Sequence, residues 1–146
     1  MEPPPPLASD TSAVLAEWRE RGSPAIPKIL HQTWKSCTLP PYQSRWRAQC
    51  DRLLSSDWAF WLWSDADNRE LIRHHFNSIL NFYDAYDVHV KRVDAIRLFL
   101  LYLYGGVYMD IDFVCLRPFE ALPYLADGMA VFGYQDNSDG GKRLHG

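Results

Sequence analysis

The chain has 146 residues, of which 47% are hydrophobic and 14% aromatic, and its formal net charge is −3. This length suffices for one domain with a hydrophobic core, and so apolar a composition excludes an intrinsically disordered chain. The slight negative charge excludes a broad nucleic-acid-binding surface, which would need an excess of Lys and Arg.

Residues 1–25 are interpreted as a leader, with a proline-rich start and a short helix that ends near Arg21. The start lacks the basic and apolar regions of a signal peptide. The longest apolar run, residues 98–109, is too short to span a membrane, so membrane association is possible but not visible in this chain. The polar, glycine-rich residues 135–146 are expected to form a tail, and the abrupt end suggests truncation.

Strand and helix patterns alternate through the rest of the chain, which predicts an α/β sheet in a domain over residues 26–134. His31, within the first strand, is more typical of a hydrogen-bonded structural histidine than of a metal ligand. The second strand is aromatic on both faces, which favours an interior position. Before residue 93, the predicted elements are strands at 26–34 and 58–63, helices at 43–54, 64–76 and 78–87, and a connector at 88–92.

Residues 93–114, VDAIRLFLLYLYGGVYMDIDFV, are the most informative stretch. Asp94 and Arg97 are three apart, so they share a face in the first turn of the predicted helix. The helix is apolar on all sides at residues 99–104 and is expected to be buried on most of them. Gly105 and Gly106 end it, and an extended segment follows at 107–109.

Asp110 and Asp112 come at the end of this extended segment. Two residues apart on an extended backbone, their carboxylates would point to the same side. Two acids at the end of a buried strand need a cationic partner, and a hard divalent metal that takes oxygen ligands is the obvious candidate. Beyond the pair, a turn is predicted at 117–120, a helical turn at 122–125 and a strand at 129–134.

The three cysteines, Cys37, Cys50 and Cys115, include no CxxC motif. Their odd number and their spacing indicate neither a zinc site nor a disulfide framework. A Cys37–Cys50 bridge in an oxidising compartment stays open as an alternative. Cys115 follows the acid pair in an apolar run and is expected to be a core thiol.

Three blocks of the sequence resemble the glycosyltransferases with a sugar-binding region and a DXD motif, the family of the yeast initiation-type α-1,6-mannosyltransferases. The blocks are IPKILHQTWK (26–35), WLWSDAD (61–67) and RVDAIRLFLLYLYGGVYMDID (92–112). The third block looks closest to the branch that mannosylates inositol phosphorylceramide. The resemblance implies a Rossmann-like sheet of GT-A type flanked by helices, location in the Golgi lumen and retention of anomeric configuration.

The resemblance also implies roles for individual residues. Asp110 and Asp112 would be the catalytic pair that holds Mn²⁺ or Mg²⁺, with Asp112 as the more direct ligand. The donor, GDP-mannose or a UDP-hexose, would transfer its sugar to a glycolipid or glycan acceptor. The remaining donor-binding candidates are Trp34, Asp65, Asp94, Arg97 and Tyr108.

Less specific explanations remain for several of these residues and for the whole chain. Asp94 and Arg97 could form only an internal ion pair, Trp34 could be a core residue, and Asp65 could be a helix cap. The chain could be a non-catalytic or truncated sugar-nucleotide-binding module. The segment DIDFV also fits, superficially, the nucleophile motif of phosphotransferases of the haloacid-dehalogenase type.

Overall fold

The computed structural model describes residues 26–122, which form a three-stranded parallel sheet flanked by helices. The strand order is β2-β1-β3, with β1 at Ile29–Thr33, β2 at Ala59–Trp63 and β3 at Val107–Tyr108. The predicted α/β architecture is therefore confirmed, and it is consistent with the Rossmann-like sheet that the resemblance implied. Within the described residues β2 pairs only with β1, so it lies at the edge of this sheet rather than in its interior.

Helices follow the strands as the sequence predicted, with shifts at several ends. α1 begins two residues early because Pro41 occupies its first turn, where a missing N–H is tolerated. Ser64 caps α2 and forms a reciprocal capping box with Asp67, which confirms the predicted start. The helices are α1 (Pro41–Leu53), α2 (Asp65–His75), α3 (Leu80–Asp84) and α4 (His89–Tyr104), with 3-10 turns at Asn77–Ile79 and Phe119–Ala121.

The two faces of the sheet carry separate hydrophobic clusters, because successive side chains of a strand point to opposite faces. Trp63 lies in the cluster formed with α2 and α4, which includes Ile72 and Leu100. Leu30 lies in the cluster on the other face, which includes Cys50 of α1. The sheet is thus covered on both sides, as a parallel sheet requires.

Two predictions about α4 are wrong. The helix begins at His89, so the expected connector at 88–92 is mostly helical and Asp94 and Arg97 lie beyond the first turn. The helix is also not buried on most sides, since Leu98 is 62% and Tyr102 73% exposed. Only the side of α4 that faces the sheet packs against other described residues. The apolar residues 99–104 did not reveal which side of the helix this would be.

Gly105 and Gly106 end α4, as predicted, and both have positive φ angles of 64° and 83°. A Cβ on Gly106 would lie 2.5 Å from the carbonyl oxygen of Ile29. The chain can therefore pass from α4 into β3 against β1 only with glycine at this position.

Cys115 is buried in the core as predicted, but it is not a free thiol, and the predictions of no disulfide and of Cys37–Cys50 as the alternative pairing are wrong. Cys50 of α1 and Cys115 form a disulfide with a sulfur–sulfur distance of 2.05 Å, whereas Cys37 is free and exposed. The fold explains this pairing, because α1 and the loop after β3 meet on the same face of the sheet. Spacing along the sequence could not show that contact, since 65 residues separate the two cysteines.

A network of hydrogen bonds connects the turn after Pro118 to the amino-terminal ends of the strands. The Glu120 carboxylate accepts hydrogen bonds from Ser55 Oγ (2.5 Å), Trp58 Nε1 (2.7 Å) and Lys28 Nζ (3.4 Å). These donors, of which Ser55 has the largest effect, lower the pKa of Glu120 to about 2. The predicted turn at 117–120 is confirmed. It lies at the amino-terminal ends of the strands, whereas the acid pair follows the carboxyl end of β3.

The predictions for the leader, for 123–134 and for the polar tail fall outside the described residues. Over residues 26–122 no helix has the length and apolar character needed to cross a membrane.

Candidate functional site

The predicted site residues follow the carboxyl ends of three neighbouring parallel strands. Trp34 follows β1, Asp65 lies two residues beyond β2, and Asp110 lies two residues beyond β3. The carboxyl ends of parallel strands meet at one edge of the sheet, where ligands of open α/β folds bind. Topology therefore gathers residues that are far apart in the sequence into one region.

Arg97 lies at the centre of the cluster beside the acid pair. Its Nη2 is 2.6 Å from an Asp94 carboxylate oxygen and 3.6 Å from an Asp110 carboxylate oxygen. Its guanidinium carbon lies 5.1 Å from the centre of the Tyr108 ring. The structure thus brings together four predicted residues, and the internal ion pair with Asp94 exists within a larger cluster.

The Arg97 side chain keeps free hydrogen-bonding capacity. It is 34% exposed, and its buried Nε has no hydrogen-bond partner within residues 26–122. A guanidinium carries five N–H donors, of which the two carboxylates use only a few. Arg97 is therefore held in place but can still bind an additional anionic group.

Tyr108 connects this cluster to the end of β1. Its hydroxyl lies 2.9 Å from Thr33 Oγ1, and burial raises the pKa of Tyr108 to about 12. A phenol is protonated at neutral pH even at its ordinary pKa of about 10, so the Tyr108 hydroxyl can donate a hydrogen bond. Thr33 was missed as a contributor to the site, although its position just before Trp34 at the end of β1 was a usable signal.

The acid pair lies in a turn, which corrects the expected extended geometry. The Phe113 N–H donates to the Asp110 carbonyl oxygen at 3.2 Å, so the chain reverses between these residues. The last contact of this segment with β1 is the bond from Met109 N–H to the His31 carbonyl oxygen, 3.0 Å. Beyond that bond no pairing within residues 26–122 keeps the backbone extended, so strand alternation does not set the directions of the two carboxylates.

The two carboxylates differ in exposure. Asp110 is half-buried beside Arg97, whereas Asp112 is exposed and no described cation pairs with it. Within residues 26–122 no group of three or more His, Cys, Asp or Glu side chains could hold a metal. Among the described residues, a metal bound here would therefore have only these two carboxylates as candidate ligands.

Asp65 lies in a cavity of about 250 Å³ between α2, α3 and the start of α4. Ser64 and Asp67 cap α2, so Asp65 is not needed as the cap. Asp65 Oδ1 instead lies 3.5 Å from Nε2 of His89, which also lines the cavity. Asn68 lines it as well and is 2% exposed, and its Oδ1 has no partner within the described part of the chain.

Trp34 is half-buried, which leaves part of its ring accessible. Its backbone N–H donates to the Trp63 carbonyl oxygen at 3.0 Å, and Lys35 Nζ lies 5.6 Å from its ring centre. Stacking of a nucleotide base on Trp34 stays a prediction.

His31 is a structural residue, as predicted. Its Nε2 donates to the Gly105 carbonyl oxygen (3.0 Å), and its Nδ1 accepts from Trp63 Nε1 (3.1 Å). These partners require the neutral ring, because Nδ1 faces an N–H donor. Burial accordingly lowers the pKa of His31 to about 4.

Comparison with protein families places this site in context. Residues 41–128 match the family described as glycosyltransferase sugar-binding region containing DXD motif. The chain belongs to this family. The matched region includes both acids of the pair, the Arg97 cluster and Asp65, so two of the three blocks that carried the resemblance lie within it, whereas the block at 26–35 with Trp34 precedes it.

Curated relatives are similar over about two thirds of the chain. Inositol phosphoceramide mannosyltransferases 2 and 3 of Schizosaccharomyces pombe are each 40% identical, covering 70% and 68% of this chain. Mannosyl phosphorylinositol ceramide synthase SUR1 of Saccharomyces cerevisiae is 38% identical over 66% of it. The matches cover only 30%, 28% and 25% of these relatives, and no solved structure matches the chain significantly.

Proposed function

We propose that this chain is the donor-binding part of a metal-dependent hexosyltransferase. The observation that carries the proposal is the position of Arg97 between Asp94 and Asp110, over the Tyr108 ring. Guanidinium groups bind phosphate oxygens, and carboxylates accept hydrogen bonds from sugar hydroxyls. The cluster therefore suits a ligand that has both a diphosphate and a hexose.

Asp110 and Asp112 would hold Mn²⁺ or Mg²⁺ in this function. Both ions prefer oxygen ligands and are commonly bound by one or two carboxylates together with phosphate oxygens and water. The half-buried Asp110 and the exposed Asp112 fit that requirement, since both carboxylates are at least partly accessible. When bound, the metal would act as a Lewis acid that stabilises negative charge on the departing diphosphate.

The protein's own residues would orient the donor. Arg97 would bind the diphosphate, and Asp94 would accept hydrogen bonds from the hexose. The Tyr108 hydroxyl, which is protonated at neutral pH like any phenol, would be available as a hydrogen-bond donor. Asp65 would contact the nucleoside in the cavity, and Trp34 would stack on its base.

α4 supports the view that the cavity and the acid pair serve one ligand. This helix supplies His89 and Arg92 to the cavity, and it also carries Asp94 and Arg97 of the cluster. A sugar nucleotide has a nucleoside at one end and a diphosphate hexose at the other. We therefore propose that it lies along this helix.

GDP-mannose is the proposed donor, and the acceptor is a hydroxyl of a sphingolipid or a glycan. The names of the curated relatives support mannose and an inositol phosphoceramide acceptor. Retention of configuration follows from the resemblance alone. The Cys50–Cys115 disulfide supports an oxidising compartment such as the Golgi lumen, because disulfides persist there and are rare in the cytosol.

Calorimetric titration of GDP-mannose, against UDP-glucose, with and without Mn²⁺, tests the proposal. We expect metal-dependent binding of GDP-mannose that Asp112→Asn weakens more than tenfold, which corresponds to about 1.4 kcal/mol. Asp87→Asn is the matched control, since it also removes one acid and Asp87 is 71% exposed and paired with Lys91. This control should bind within twofold of the wild type.

Each alternative predicts a different result. Absence of any metal-dependent binding by folded protein would refute the donor site. Donor binding without transfer or hydrolysis would favour the non-catalytic sugar-nucleotide-binding module. A phosphate trapped covalently on Asp110 would instead favour the phosphotransferase hypothesis.

A further inference from the structure

The disulfide between Cys50 and Cys115 joins α1 to the loop that follows the acid pair. Cys115 comes three residues after Asp112 and is 4% exposed, and Cys50 is fully buried. Gln49, next to Cys50, donates from Nε2 to the Cys115 carbonyl oxygen at 2.9 Å. Both the side chain and the backbone of Cys115 are therefore attached to α1.

Within residues 26–122, the rest of this loop has few attachments to the protein. Phe113, Val114 and Leu116 are 56%, 38% and 71% exposed, so they contribute little packing. Before the loop, Asp110 is attached through its contact with Arg97. Asp112 therefore lies in a short segment between two anchors, Asp110 and Cys115.

We propose that the Cys50–Cys115 disulfide positions the acid-pair turn, so that Asp112 is already in place when metal and donor bind. The proposal rests on the proposed donor site. Ordering a backbone residue costs about 1–2 kcal/mol, so a turn that is ordered in advance binds its ligand more tightly than a free one. The bridge connects the turn to α1, which covers the β1 face through the cluster around Leu30 and Cys50.

The double variant Cys50→Ala/Cys115→Ala tests this role by calorimetry with Mn²⁺ and GDP-mannose. We expect the affinity for the donor to fall about tenfold in protein that stays folded. Cys37→Ala is the matched cysteine control and should leave the affinity unchanged, because Cys37 is free and exposed.

General destabilisation needs a control of its own. Ile72→Ala truncates a fully buried side chain in α2, and its expected cost of stability is similar to that of losing a disulfide. At a temperature where circular dichroism shows both proteins folded, Ile72→Ala should keep wild-type affinity. A positioning role is contradicted if the double variant binds within twofold of Ile72→Ala.

Limited proteolysis gives a readout that needs no ligand. Chymotrypsin can cleave after Phe113, which is exposed, and cleavage after Phe82, which is 75% exposed in α3, serves as the internal reference. We expect the ratio of cleavage at Phe113 to cleavage at Phe82 to rise about tenfold in the double variant and to stay constant in Ile72→Ala. An unchanged ratio would overturn the proposal.

The two readouts separate the failure of this inference from the failure of the proposed function. If wild-type protein binds no donor with metal, the proposed function fails, and the cleavage ratio still decides whether the bridge fixes the turn. If cleavage at Phe113 rises but donor affinity does not change, the turn is released without consequence for the ligand. That result would also overturn the positioning role.

Discussion

Lowering the pH from 7 to 5 should destabilise the protein because of His31. The imidazole donates to the Gly105 carbonyl oxygen and accepts from Trp63 Nε1, so a proton added at Nδ1 would meet an N–H group. The pKa of His31 is about 4 in the folded protein, compared with 6.5 for an unperturbed histidine. Between these values the unfolded chain binds the proton and the folded protein does not, so stability falls as the pH is lowered.

The size of this effect follows from the two pKa values. A difference of about 2.5 pKa units corresponds to about 3 kcal/mol once the pH is below both values. At pH 5 the unfolded histidine is mostly protonated and the folded one is not, so about 2 kcal/mol is lost relative to pH 7. Because His31 is fully buried, solvent screening should not reduce this value much.

Urea unfolding of the wild type and of His31→Gln at pH 7 and pH 5 measures the effect. The variant should be less stable at pH 7, because it loses the packing and hydrogen bonds of the ring. Its stability should nevertheless change about 2 kcal/mol less between the two pH values than that of the wild type. Equal pH dependence in the two proteins would refute the assignment of a neutral, buried imidazole.

Two further predictions concern the connections that hold the sheet. Gly106→Ala should lower the free energy of unfolding by at least about 2 kcal/mol in urea titrations, because φ is 83° and the new Cβ would lie 2.5 Å from the Ile29 carbonyl oxygen. Wild-type stability would show that the chain takes another path after α4. Glu120→Gln should cost about 1 kcal/mol at pH 7 after solvent screening, since the carboxylate is 35% exposed. The pKa of Glu120 is about 2, so its contribution is present above pH 4.5 and is lost as the pH falls towards 2; Glu120→Gln should lack that loss in acid unfolding curves.

The sequence predicted the Arg97 cluster in part because local geometry controls part of it. Residues three apart on a helix meet, so the Asp94–Arg97 pair followed from spacing alone. β1 and β3 are neighbouring parallel strands, so Trp34 and Asp110, which follow their carboxyl ends, lie at the same end of the sheet. The contact from Arg97 to Asp110 was not predictable, because it depends on how α4 lies against β3.

The start of α4 was predicted wrongly because tertiary contacts override the local sequence pattern there. Val88 offers no side-chain cap and resembles a connector, yet α4 begins at His89. Arg92 explains the difference, since it donates to the carbonyl oxygens of Asp84 and Tyr86 and thereby attaches the first turns of α4 to the preceding segment. Helix propensity alone contains no information about such bonds.

The acid-pair turn shows a second kind of error. The alternation rule applies only while a strand is paired, and β3 has two residues. The expected extended geometry of Asp110 and Asp112 therefore failed at the point where pairing with β1 stops. A sequence-based argument about paired carboxylates needs the length of the strand, which the partner strand determines.

His31 shows how a structural residue can position a site, since it is the β-sheet partner of Tyr108. Its backbone oxygen accepts the Met109 N–H, and its ring nitrogen binds the Gly105 carbonyl oxygen, so one residue holds both ends of the segment that contains β3. Tyr108 lies within this segment and Asp110 directly follows it. The position of the acid pair therefore depends on a neutral His31, and acid conditions that protonate this ring should release the site together with the sheet.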